Sequence, residues 1–249
     1  MSGWTVVVDE RTCIGRASGG GFDAPGLYLF RRSEARWEAD LLLADSEDRQ
    51  RVRCLWAVRE TDRYRMVVKA EGETRESVTY WRVELADGVE PTLELIAAFD
   101  ERVAGEDVSP DGGVLACLRR AGGSSPVDRL VLTPIRQARG AVRSMRCSED
   151  VAAARFGPKG EQLLLWGPGW LEGASNKEGP RAGIQIVDLA RNEVADVELP
   201  AELRALDTLT SVSWLSENSV ALGLVDYGVA ALNLSAGAYD ALWRVPAER

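Results

Sequence analysis

Apolar residues along this chain come in short alternating runs, and each run is cut off by a cluster of Gly, Pro, Asp, Asn or Ser. Alternation with a period of two marks half-buried β-strands, and such clusters mark the turns between them. In DVSPDGGVLACLRR (107–120) the turn formers Ser109-Pro110-Asp111-Gly112-Gly113 stand just before Val114, Ala116 and Leu118. Proline presets φ at about −65°, while Asp and Gly accept the tight, partly left-handed conformations that fold one strand back on its neighbour, so the stretch predicts a hairpin. AARFGPKGEQLLLWG (153–167) repeats the pattern with Phe156 ahead of Gly157-Pro158-Lys159-Gly160, and SVSWLSENSVALGL (211–224) repeats it with Trp214 ahead of Ser216-Glu217-Asn218-Ser219. Fainter copies are CLWAVRETDRYRMVV, around Trp56, and TVVVDERTCIGRA, around Val7. The anchors Val7, Trp56, Val108, Phe156 and Trp214 are separated by 49, 52, 48 and 58 residues, the spacing of a repeat.

Each unit then holds two more strands. Third strands are predicted in GLYLFRR (from Gly26), SVTYWRVEL (from Ser77), VDRLVLTPI (from Val127), AGIQIVDL (from Ala182) and GVAALNL (from Gly228). Fourth strands follow in RWEADLLL (from Arg36), TLELIAAF (from Thr92), AVRSMRC (from Ala141), EVADVEL (from Glu193) and AYDALWRV (from Ala238), after the turn-like pieces RSEA, ADGVEP, RQARG and ARNE. Five four-stranded units result, over residues 4–43, 52–99, 105–147, 151–199 and 210–245, each with its own four strands, within one domain of residues 1–249. No helical stripe exceeds two turns; PAELRALDTL (200–209) is the best candidate and predicts a short surface turn between units.

The SPDGGVLACLRR and GPKGEQLLLW units resemble WD-repeat and TolB-like β-propeller repeats, in which the innermost strand ends in an S-P-D-G type turn. The resemblance covers most of the chain and is most specific over residues 107–234. It implies an all-β fold, a β-propeller of about five four-stranded antiparallel blades, with a usual role as a protein-binding platform. The Trp-Asp dipeptide and the Gly-His pair of WD repeats are missing here, so that family's Asp/His network is not carried over.

Charge narrows the partners. Thirty Lys and Arg against 39 Asp and Glu leave a net charge of −9, and no window holds a dense basic run with interleaved aromatics. Nucleic acid and anionic membrane surfaces both need a positive face, so neither is an expected partner. The amino-terminal MSGWTVVVDERTCIG has no positive leader, and no stretch approaches the ~20 apolar residues of a bilayer span, so a cytoplasmic location is expected. Cys13, Cys54, Cys117 and Cys147 lie 41, 63 and 30 residues apart, which fits reduced thiols rather than a zinc or disulfide framework. The chain has no histidine. That absence removes Ser/His/Asp and Cys/His catalysis, imidazole bases and His-dependent metal sites, and neither metal nor cofactor is expected.

Four features invite a functional reading. The glycine-rich RASGGGFDAPG (16–26) lacks a following helix to hold a phosphate, so an interstrand loop is expected. The acidic runs DSEDR (45–49) and DERVAGED (100–107) read as solvated links between units. The longest insertion, WGPGWLEGASNKEGPRAG (166–183), lies between the second and third strands of the fourth unit, on the rim shared with the links. Its Trp170 and Leu171 sit among glycines, either as interface anchors or folded back over their own blade; Trp166, Trp170, Leu171, Lys177 and Arg181 are the candidate interaction residues. Five-bladed glycoside hydrolases work with two or three channel acids, whereas the innermost strands here supply chiefly Glu106 and Asp107. The expectation is therefore a non-catalytic protein-interaction scaffold, an accessory subunit of a hetero- or homo-oligomer. The alternative is a five-bladed carbohydrate-active enzyme or small-ligand binder using rim carboxylates.

Overall fold

The computed structural model describes residues 5–18, 22, 24–34, 36–46, 50–61, 63–72, 77–86, 89–101, 103–120, 127–135, 141–147, 151–167, 184–197, 199, 209–224, 228–236 and 238–244. These residues form twenty strands in five four-stranded antiparallel sheets, each made of strands consecutive in sequence. The first sheet holds β1 (Thr5–Asp9), β2 (Thr12–Ala17), β3 (Gly26–Arg32) and β4 (Trp37–Ala44). The second holds β5 (Gln50–Glu60), β6 (Arg63–Glu71), β7 (Val78–Ala86) and β8 (Thr92–Phe99). The third holds β9 (Val103–Val108), β10 (Val114–Arg120), β11 (Val127–Pro134) and β12 (Arg143–Arg146). The fourth holds β13 (Ala153–Phe156), β14 (Gln162–Trp166), β15 (Ile184–Asp188) and β16 (Glu193–Asp196). The fifth holds β17 (Leu209–Ser216), β18 (Ser219–Leu224), β19 (Gly228–Asn233) and β20 (Tyr239–Arg244). All five predicted hairpins form where the turn clusters place them. The proposed surface turn at 200–209 lies, but for Leu209 at the start of β17, outside the described residues.

The chain divides into two compact units. One comprises Met1–Val103, Gly112–Leu115 and Thr133–Val142, the other Ala104–Asp111, Ala116–Leu132 and Arg143–Arg249. In the first unit the alternation of β2 and β3 sends Ile14, Leu27 and Leu29 into one apolar layer with Val52, Met66 and Val68 of the second sheet. In the second unit Leu164, Val212, Val220, Leu222, Ala230 and Leu232 form the corresponding layer. Removing this apolar area from water is the main stabilising term of both units, at about 25 cal/mol per Å².

The S-P-D-G-G turn is shaped by one close approach. Gly112 has φ 67°, and the indole of Trp56 lies against it, so that a Cβ there would stand 2.5 Å from the ring. Only glycine meets both demands. The tryptophan at the repeat anchor thus packs on the hairpin turn of the next sheet. The first and fourth strands are the sheet edges, and the fourth strands β4 and β8 leave Trp37, Leu41 and Leu95 exposed.

Candidate functional site

In the first unit, β2, the end of the β4 link and the start of β5 surround a cleft of about 540 Å³ lined by Arg16, Asp45, Ser46, Gln50 and Arg51. Its position follows from the strands. Arg16 shares a face of β2 with Ile14, two residues earlier, so it continues the apolar face at the point where the layer meets solvent. Gly26 lets the two neighbouring strands close up there: a Cβ at Gly26 would lie 2.4 Å from the Leu43 carbonyl oxygen. The chain then continues into Asp45, whose N–H donates to the Pro25 carbonyl at 2.9 Å.

Asp45 ties the link together. Arg16 Nη2 donates to Asp45 Oδ2 at 2.5 Å, and the Val52 N–H donates to Asp45 Oδ1 at 3.3 Å. Both side chains of the ion pair are mostly buried, at 21% and 16% exposure, so the pair is shielded from the screening that weakens surface pairs. The Arg16 Nε is buried and has no hydrogen-bond partner among the described residues. Arg51 adopts φ 50°, a left-handed conformation unusual for a non-glycine residue, and its Nη1 stands 3.8 Å from Glu71 Oε2. Glu71, the cross-strand partner of Gln50, also faces Lys69, whose Nζ is 3.9 Å from Glu71 Oε1 and whose side chain is buried.

The two carboxylates singled out by sequence occupy a different place. Asp107 sits in β9 of the second unit, where Phe156 N–H donates to its Oδ2 at 2.7 Å and Arg155 Nη1 lies 3.7 Å from its Oδ1. Burial raises the Asp107 pKa above the ordinary carboxylate value, and the neighbouring Glu106 adds to the rise. The Phe156 and Val108 N–H groups and Arg155 pull the other way. Trp214 Nε1 donates to the Arg155 carbonyl at 3.2 Å and its ring lies on Gly157, so this region is a set of ties among first strands. DERVAGED is thus no solvated link: β9 runs through its second half.

The candidate interaction residues separate. Trp166 is the last residue of β14, half-buried against the second unit's apolar layer, and its carbonyl accepts the Ala152 N–H at 2.8 Å. Trp170, Leu171, Lys177 and Arg181 lie outside the described residues. The four cysteines form no disulfide, and burial pushes the Cys54 thiol up to about 12. Among the described residues no group of His, Cys, Asp and Glu is arranged to hold a metal ion, and no helix is long and apolar enough to cross a membrane.

The sequence matches no protein-family model and no curated protein sequence. Solved structures do match. An oligogalacturonate lyase in complex with manganese superposes with a TM-score of 0.57 at 12% identity, over 92% of this chain and 65% of the lyase. A puromycin-hydrolyzing peptidase of Mycobacterium tuberculosis superposes with a TM-score of 0.61 at 12% identity, over 98% of this chain and 37% of the peptidase. The fold is a β-propeller. At this identity the likeness shows the fold, and the chain spans less than two thirds of either protein. The manganese belongs to the lyase; the described residues here offer no donor set that fits it.

These neighbours correct the expectation of a non-catalytic scaffold. Both of the propellers described are enzymes, so the alternative reading, an enzyme or small-ligand binder using carboxylates, is the one the findings favour. The innermost strands supply few acids, chiefly Glu106 and Asp107. The cleft instead draws Asp45 from a link and lies next to Glu71 at the end of β6, and no motif in the sequence joins Arg16, Asp45 and Arg51.

Proposed function

We propose that the chain is the propeller of an enzyme acting on a small polar ligand, a saccharide foremost, held in the Arg16–Arg51 cleft. The observation that carries this reading is the cleft itself, whose 540 Å³ falls within the roughly 300–1,000 Å³ of small-molecule sites. The described residues lining it are all polar, which suits a ligand rich in hydroxyl groups. Asp45 supplies acceptors, Arg16 and Arg51 supply donors, and Ser46 and Gln50 can do either. The resemblance in fold to an oligogalacturonate lyase supports a saccharide over other polar ligands, and the SPDGG and GPKG turns support a WD-repeat or TolB-like origin for the blades.

A panel of neutral and acidic mono- and oligosaccharides, followed by calorimetry and by analysis of the products, tests the reading. At least one sugar should bind, and Gln50→Ala combined with Ser46→Ala should weaken it by about tenfold, the effect of losing one or two hydrogen bonds. A panel in which no sugar binds the folded chain, or in which binding ignores the double variant, refutes it.

A further inference from the structure

Basic side chains gather at the cleft. Among the described residues Arg16 and Arg51 line it and face Asp45 and Glu71, and Glu71 also faces Lys69. Two of the three cations also have donors to spare. Arg16 spends Nη2 on Asp45, and its Nε is a buried donor without an acceptor among the described residues. Arg51 stands 3.8 Å from Glu71, too far for a hydrogen bond, and its guanidinium is half-exposed toward the cleft. Its left-handed backbone is a strained state of the kind proteins maintain where the direction of a side chain matters.

We infer that the cleft is an anion site, taking the carboxylate or phosphate group of a small ligand between the guanidiniums of Arg16 and Arg51. The inference rests on the reading of the cleft as a ligand site and adds the charge of the ligand. Guanidinium groups suit this role because their planar fork of N–H donors matches the oxygens of a carboxylate or a phosphate. Ser46 and Gln50 add neutral donors beside them. Asp45 sets the limit: it already competes for Arg16 and repels a second negative charge, so the site fits one anionic group rather than a polyanion. Glu71 and Lys69 act one step back, with Glu71 drawing Arg51 toward β6 and the buried Lys69 standing 3.9 Å from the same carboxylate.

Calorimetry of the intact chain at low ionic strength with glucuronate, glucose and inorganic phosphate separates the possibilities. Glucuronate or phosphate should bind at least about tenfold more tightly than glucose, and Arg51→Gln should lose about tenfold or more of that affinity, the share of one charge-assisted hydrogen bond. Arg51→Lys, which keeps the charge without the planar fork, should recover part of it. Asp45→Asn should bind the anion several-fold more tightly, because it frees Arg16 while its Oδ1 still accepts the Val52 N–H. Tighter binding of glucuronate than phosphate assigns a carboxylate ligand, and the reverse assigns a phosphate. Equal binding of glucose and glucuronate, unchanged in Arg51→Gln, overturns the anion inference and leaves the saccharide reading standing. Failure of both anions to bind a folded chain overturns it as well, whatever the sugar panel shows.

Discussion

Replacing Gly112 with alanine loads two penalties onto one methyl group. The backbone at φ 67° costs an L-residue about 1–2 kcal/mol. The added Cβ would lie 2.5, 2.6 and 2.8 Å from three ring atoms of Trp56, and forcing extra volume into such a contact costs about 1–3 kcal/mol more. The sum, about 2–5 kcal/mol, corresponds to a fall in Tm of roughly 4–20 °C for a chain of this size. Urea unfolding followed by circular dichroism measures it without depending on tryptophan emission. Two companion variants divide the total. Gly112→Asn tolerates the left-handed backbone and keeps the steric clash, so it should remain destabilised by the clash alone. Trp56→Ala placed together with Gly112→Ala removes the clash, so the double variant should lose at least ~1 kcal/mol less than the sum of the single losses. A Gly112→Ala loss below about 1 kcal/mol, or simple additivity in the double variant, would show that the indole does not rest on the turn.

Two further outcomes concern each unit separately. The raised pKa of Asp107 means that the folded state favours its protonated form, so its contribution is fully present below the unfolded value near 3.8 and is lost as pH rises through the folded value. Urea midpoints of Asp107→Asn, in which the side-chain carbonyl still accepts the Phe156 N–H, should therefore gain on wild type as pH rises across that window; a gap that closes instead refutes the assignment. Gly26→Ala should push the Leu43–Asp45 segment away from β3 and weaken ligand binding at the cleft more than it lowers Tm, and unchanged affinity measured by calorimetry would contradict this.

The strands are legible in the sequence because each is bounded by its own turn chemistry. GLYLFRR and TLELIAAF coincide with β3 and β8 end to end. Even the two faintest units, around Val7 and Trp56, form complete sheets, since alternation survives where the turn signature fades. The site is not legible in the same way. DSEDR reads as a solvated link by composition, yet Asp45 is mostly buried because its partner, Arg16, comes from 29 residues earlier. Gln50 and Arg51 fall between the DSEDR run and the unit expected from residue 52, and β5 begins there because Gln50 pairs with Glu71. Asp107 likewise finds Arg155 and Phe156, 48 and 49 residues onward. Local pattern reports pairing between neighbours in sequence, whereas these groups meet across tens of residues: Arg16 and Asp45 within one sheet and the link that leaves it, Asp107 and Arg155 between the first strands of two sheets.

That every sheet is made of strands consecutive in sequence has a consequence for synthesis. No sheet waits for a strand from elsewhere, so its hydrogen-bond ladder can close soon after its own fifty or so residues leave the ribosome, at intervals of roughly 2–10 s. Its apolar face cannot be covered on that schedule. Ile14, Leu27 and Leu29 stay bare until Val52, Met66 and Val68 arrive, one translation interval later. The nascent chain thus passes through a state that is fully hydrogen-bonded and still sticky, and chaperones that recognise apolar surface would meet it in that interval.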